Sequence, residues 1–166
     1  MMYLREYKIE PKEIMHPFGK LIYCKVIPIM GRSPSKDPVL NSRTLYDDYL
    51  STMDYPETFH HILLLEVDEK YRNNGYGKLL VQQFFKEVKP DSVILEAGIT
   101  KQELYEEMEA NNTIYRYIDE NIKPFWVKMG FTDVNHTVFW KSELIPMLWP
   151  PERAVRLTAL SKTNLF

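Results

Sequence analysis

Cysteine is nearly absent from this chain of 166 residues: Cys24 stands alone. A lone cysteine excludes an intramolecular disulfide, so packing and hydrogen bonds must hold the fold, and it fits a reducing compartment. It lies in LIYCKVIPI, where a small buried hydrophobe is the reading to prefer over a catalytic thiol. A positive excess is missing too. The net charge is −2, and without a basic field, nucleic-acid binding by phosphate neutralisation is not expected. No apolar run reaches membrane-spanning length, and MMYLREYKIE has no apolar signal core. These absences point to a cytoplasmic protein with no membrane partner. Glycine is scarce, at six residues, yet Gly75 and Gly77 fall almost side by side in EKYRNNGYGKLL. What remains is ordinary: 45% hydrophobic and 27% charged residues, enough for one compact core. Aromatics reach 13%, with eleven tyrosines, and most should be core.

The chain shows no internal repeat and no low-complexity block. MYLREYKIE and FGKLIYCKVIPIM read as strands, short runs of β-branched and aromatic residues. GRSPSKDP (31–38) reads as a loop. Residues 40–53 space Leu45, Tyr49, Leu50 and Met53 as a helix does. HHILLLEV (60–67) is nearly continuous apolar sequence, too short for a core helix, and predicts a central strand covered on both faces. KLLVQQFFKEV then places Leu80, Phe84 and Val88 on one helical face, before Pro90 and Asp91 end it. SVILEAGI (92–99) reads as a second buried strand. Strand, turn, helix, strand is a βαβ unit, which favours parallel pairing and an α/β class.

Residues 102–122 are helix-like, and NNT at 111–113 marks a candidate interruption. A new helix from near Asn121 would put Pro124 in its first turn, where proline is tolerated, and stop at Gly130. HTVFWKSEL (136–144) reads as a further strand. Residues 1–149 are expected to form one domain. Residues 150–166 form a tail that wraps the domain or reaches a partner.

EKYRNNGYGKLL joins the end of a buried strand to the start of a helix. Glycines remove the Cβ atoms that would block a close ligand. The amides of the first helical turn point outward at the positive end of the helix dipole, an anion site. Arg72 and Lys78 flank it. The alternative is a plain strand-to-helix turn. A Walker loop needs Ser or Thr after Gly-Lys, and Leu79 stands there, which disfavours a metal-bound triphosphate. A dinucleotide fingerprint needs a third glycine, and Leu80 stands there.

Arg-x-x-Gly-x-Gly after a strand ending in Glu-Val remains. LLLEVDEKYRNNGYGKLLVQQFFKEV resembles the acetyl-CoA motif of the GCN5-related N-acetyltransferase (GNAT) superfamily. PFWVKMGF (124–131) resembles the same family's later helix-to-strand segment. The two matches stand in the family's order and cover roughly residues 60–140; the first 55 residues do not visibly match. The resemblance implies a GNAT-like α/β fold: a mixed, largely antiparallel central sheet, a parallel pair splayed at the cofactor site, and helices on both faces. It implies acetyl-CoA as co-substrate, with no metal. Main chain around Leu65 and Val67 would hold the pantetheine arm. Amides from Asn73 through Asn74, Gly75, Tyr76 and Gly77 to Lys78, with Arg72, would take the pyrophosphate. The activity implied is N-acetyl transfer to a primary amine of a small molecule or protein, without an acyl-enzyme.

A lysine-like amine has a pKa near 10.4, so deprotonating it at pH 7 costs about 4.6 kcal/mol, against about 1 kcal/mol for an α-amine. A base is therefore wanted for the former. The resemblance implies a role for His61: its strand position looks like the one that carries an acid/base residue in the histone and arylalkylamine branches, and imidazole has a suitable pKa. The other reading of His60 and His61 is that they simply begin a strand. Glu66, a charge in an apolar strand, is the next candidate, and Glu96 raises the same question on the second strand. The family's usual thiolate-protonating tyrosine is replaced here by Trp126, which cannot donate a phenolic proton. Tyr115 and Tyr117 are the nearest substitutes, and Trp126 is assigned to packing against cofactor or core. The acid and aromatic groups of residues 44–57 suit an amine ligand and equally a solvated helix face. This departure keeps a second reading open, a non-catalytic acyl-CoA sensor or interaction module. Monomer and homodimer are both compatible with the sequence.

Overall fold

The structure, a computed structural model, describes residues 5–30, 57–98, 113–133 and 145–152, together with Glu106 and Ala110, both helical. Two long strands, β1 (Arg5–His16) and β2 (Gly19–Met30), pair antiparallel throughout around a tight turn at Pro17 and Phe18. β3 (Phe59–Val67) adds antiparallel to β2. A 3₁₀ turn (Glu69–Tyr71) leads to helix α1 (Tyr76–Val88), and β4 (Val93–Ala97) returns parallel to β3. A second helical run comprises α2 (Ile114–Tyr117), a π turn (Ile118–Ile122) and α3 (Lys123–Lys128). β5 (Thr132–Asp133) and β6 (Ile145–Trp149) complete a six-stranded sheet of order β1-β2-β3-β4-β6-β5. The fold is mixed α/β: among the described residues the sheet is mostly antiparallel with one parallel pair, the pairing that the βαβ reading favoured.

Directly opposed residues in a sheet share a face. One row runs Tyr23–Ile62–Leu95–Met147, and the next runs Cys24–His61–Ile94–Leu148. The first faces α1. Leu80, Val81 and Phe84 insert there, with Phe84 edge-on to Tyr23 at 5.0 Å between ring centroids. Burial of a ring such as Phe84 stabilises by about 2–3 kcal/mol. Ile118, Trp126 and Phe131 join the same core, so the second helical run lies beside α1. The second row is buried on the opposite face.

The strands at 60–67 and 92–99 and the helix at 78–88 fall within a residue or two of the observed elements. The first strand extends further than MYLREYKIE suggested, through Pro11, whose missing N–H is tolerated on an edge strand. The helix at 40–53, the strand at 136–144 and most of the tail lie outside the described residues. β6 has no counterpart in the sequence reading, because Pro146 sits inside it.

Pro124 occupies the first turn of α3, as anticipated, yet no break precedes it. Tyr117, Ile122 and Lys123 all keep right-handed helical angles. Proline offers no N–H to Glu120 and its ring crowds that carbonyl. The helix responds by widening to a π turn, in which the Lys123 amide bonds to the Ile118 carbonyl. Gly130 ends the run with φ of +97°. Its amide bonds to Val127 O and that of Phe131 to Trp126 O, both at 3.0 Å, a Schellman closure.

Candidate functional site

β3 and β4 are paired only at His60–Val93, His61–Ile94 and Ile62–Leu95. Beyond that point they part. The register of β3 with β2 shows the local cause. Ile62 opposes Tyr23 and Leu64 opposes Ile22, so Leu63 is an extra, bulged residue. A bulge bends and twists its strand away from its neighbour. Past it, the main-chain groups of residues 63–67 that would face β4 have no partner on that strand. Such groups demand one, and a ligand can supply it. A cavity of about 790 Å³ fills the parting. Residues 62–67 form one wall and Leu95, Glu96 and Gly98 the other, while α3 and the end of α2 close it.

The loop from β3 to α1 forms the mouth. Asn73 and Gly75 both have left-handed angles, φ +64° and +81°. Asn74 turns its side-chain amide inward and donates to the carbonyls of Tyr71 and Arg72 at 3.3 and 3.0 Å. Arg72 Nε donates to Val67 O at 3.0 Å, tying the loop to the strand end. Gly75 caps α1, and the first i to i+4 bond runs from Leu79 N to Gly75 O at 3.1 Å. The amides of Tyr76, Gly77 and Lys78 therefore have no intrahelical acceptor. A Cβ on Gly75 would meet no atom within 4 Å, so this glycine serves the backbone angle and leaves open space before the helix.

The structure brings most of the sequence-assigned residues to this one cleft. Leu65, Glu66 and Val67 line it from β3, and Arg72, Asn73 and Gly75 from the loop. Tyr76, Gly77 and Lys78 line it from α1, and Tyr117 and Trp126 from the second helical run. Asn74 is not among the lining residues. Trp126 is buried, packed edge-on between Phe125 and Phe131 at 5.1 and 5.3 Å. Tyr117 enters the cleft next to the π turn, where Asn121 Nδ2 donates to its carbonyl at 3.1 Å. The side chain of Tyr115 lies outside the described residues.

His61 stands apart. It is 3% exposed and does not line the cleft. Burial drives its pKa down to about 4, so it is neutral at physiological pH. His60 is also lowered, first by burial and then by Lys25 and Lys12, with Asp91 opposing. His61 pairs with Ile94 before the two strands part, so its side chain stays within the packed sheet and not in the cleft.

Sequence reasoning did not single out Tyr71, Asn121, Phe125 and Lys128, which also line the cleft. Only the aromatic pair in PFWVKMGF hinted at the wall. That wall is anchored by Lys123, whose ammonium bonds to Asp119 at 2.9 Å and Asp133 at 3.0 Å, joining the helix to β5. Those bonds raise its pKa. Among the described residues, no helix is long and apolar enough to cross a membrane. Comparison with protein-family models, curated proteins and solved structures finds no match.

Proposed function

We propose that the chain is an acetyl-CoA-dependent N-acetyltransferase of GNAT-like architecture, acting on a primary amine by direct attack. The observation that carries this reading is the parting of the one parallel pair beside the glycine loop that opens α1. A slot with unpaired main-chain groups along one wall suits an amide-bearing arm such as pantetheine. The amides of Tyr76, Gly77 and Lys78, with Arg72 alongside, suit a pyrophosphate. The sheet order, with its single parallel step, is in keeping with the resemblance in EKYRNNGYGKLL and PFWVKMGF.

In this reading the acceptor ammonium first gives up a proton to a carboxylate on the cleft wall, Glu96. The neutral nitrogen attacks the thioester carbon. The C–N bond forms as the C–S bond breaks, and the electron pair leaves on sulfur. Tyr117, a phenol that lines the cleft, would protonate the thiolate in this reading, and water suffices otherwise, because a thiol with a pKa of about 8.5 is a fair leaving group. The nitrogen sheds its second proton to solvent.

Calorimetry with acetyl-CoA and thiol release with an amine panel test the proposal. Gly75→Val is expected to weaken acetyl-CoA binding at least tenfold. Its side chain enters the space before the helix, and its φ of +81° adds strain of about 1–2 kcal/mol. Unchanged affinity in a folded variant would remove the cradle assignment. Tight binding with no turnover of any amine would select the non-catalytic acyl-CoA module, which the Trp126 substitution keeps in view.

A further inference from the structure

Charge is segregated across the cleft. Arg72 and Lys78 line it at the loop and the start of α1, and Lys128 lines it from α3. These elements stand on the face that carries Tyr23 and Ile62. The two carboxylates stand on the other. Glu66 is the cross-strand partner of Lys20, and Leu64 that of Ile22, which places both on the face of Cys24 and His61. Glu96 follows Leu95 in β4 and so shares the face of Ile94.

The two carboxylates come from opposite walls of one cavity, not from a surface cluster. Among the described residues the Glu66 side chain makes no ion pair or hydrogen bond, not even with Lys20. A carboxylate in an otherwise apolar strand, lining a cleft, calls for a cation. Glu96 sits level with the bulge, one residue past the last pairing of the parallel strands. Glu66 lies three residues farther along β3 than Leu63, an offset of roughly 10 Å at strand spacing. Between them the wall is Leu63, 44% exposed, and Leu64. The pattern from the strand junction outward is acid, apolar wall, acid.

We propose that the acyl acceptor is a linear amine with two cationic ends joined by an apolar chain, its reacting end beside Glu96 and its far end on Glu66. This deepens the acetyltransferase reading and rests on it. The anionic donor occupies the basic side and the acceptor enters from the acidic side. The methylene chain lies along Leu63 and Leu64. A single carboxylate would serve a monoamine, and an amino acid would bring its own carboxylate against Glu66.

The test uses the full chain with acetyl-CoA and a matched pair of acceptors, hexamethylenediamine and hexylamine. The wild type is expected to favour the diamine at least tenfold in kcat/KM. Glu66→Gln, which is isosteric, is expected to bring that ratio close to one. Lys20→Gln, removing the competing cross-strand cation, is expected to raise it. No diamine preference in the wild type, or a preference that survives Glu66→Gln, overturns the proposal. Calorimetric titration of the diamine, with and without CoA, separates the two readings. If no amine is turned over, the acetyltransferase reading fails. The cation site then falls as well unless the wild type binds the diamine and Glu66→Gln weakens that binding tenfold.

Discussion

Gly19→Ala is expected to destabilise the protein by about 2–4 kcal/mol and to displace the wall of the cleft. Gly19 is buried at the start of β2, opposite Val67 at the end of β3. A Cβ there would clash with the carbonyl oxygen of Glu66 and stand 2.9 Å from Val67 Cα. Both are backbone atoms, so no rotamer change relieves the overlap. The strand end cannot simply swing aside, because Asp68 N bonds to Phe18 O at 2.8 Å and Arg72 Nε holds Val67 O. The turn between β1 and β2 is further fixed by aromatic stacking, His16 on Phe18 and Phe18 on Tyr76 at 4.8 and 4.3 Å. A disturbance at Gly19 therefore reaches the start of α1. Gly77→Ala is the comparison. Its Cβ would sit 3.5 Å from Phe125 ring carbons and 3.8 Å from Val67 Cγ2, ordinary contact distances. In a helix that exchange is neutral or gains up to about 1 kcal/mol. Urea midpoints read at constant m separate the two. Equal midpoints would show that β2 and β3 shift apart easily, and the wall would then not be rigid.

This coupling between the β1–β2 turn and the cleft was not legible in the sequence, and the reason is instructive. Gly19 follows Pro17 and Phe18, so it reads as turn punctuation. Its actual constraint comes from a strand more than forty residues away. What was legible depended on local signals. Asn73, Gly75 and Gly77 announce left-handed backbone and close approach, and the apolar runs on either side announce buried strands. Gly130 announced a helix end for the same kind of reason. The bulge at Leu63 gave no signal, because one leucine among three carries no mark of being unpaired. Yet that residue decides which side of the sheet every later β3 side chain occupies. Reading by simple alternation from Ile62 would place Glu66 on the α1 face with the core; the register places it opposite. Pro146 hid β6 and Pro124 suggested a helix start. In both cases tertiary pairing or a π turn absorbed the missing donor.

Acid sensitivity is expected to centre on His61. Its folded pKa is about 4, lowered by burial, against about 6.5 in an unfolded chain. Between those values the unfolded chain binds a proton that the native chain refuses. The stability contributed by the neutral imidazole is therefore complete above pH 6.5 and is lost as pH falls toward 4. Over the whole window the loss is about 3 kcal/mol. His60, shifted the same way, adds to it. Denaturant midpoints at pH 7.5, 6 and 5 are expected to fall in order, before most carboxylates titrate. His61→Leu, which keeps the site apolar, is expected to flatten most of that slope and leave the part due to His60. An unchanged slope would mean that His61 exchanges protons in the folded state and has access to water. The same variant bears on catalysis. A base that lines no part of the cleft can act only through a relay, so His61→Leu separates the candidates. Loss of turnover with acetyl-CoA affinity kept would make His61 the base in spite of its burial. Turnover that persists leaves the proton to Glu96, the cleft carboxylate beside the reacting end.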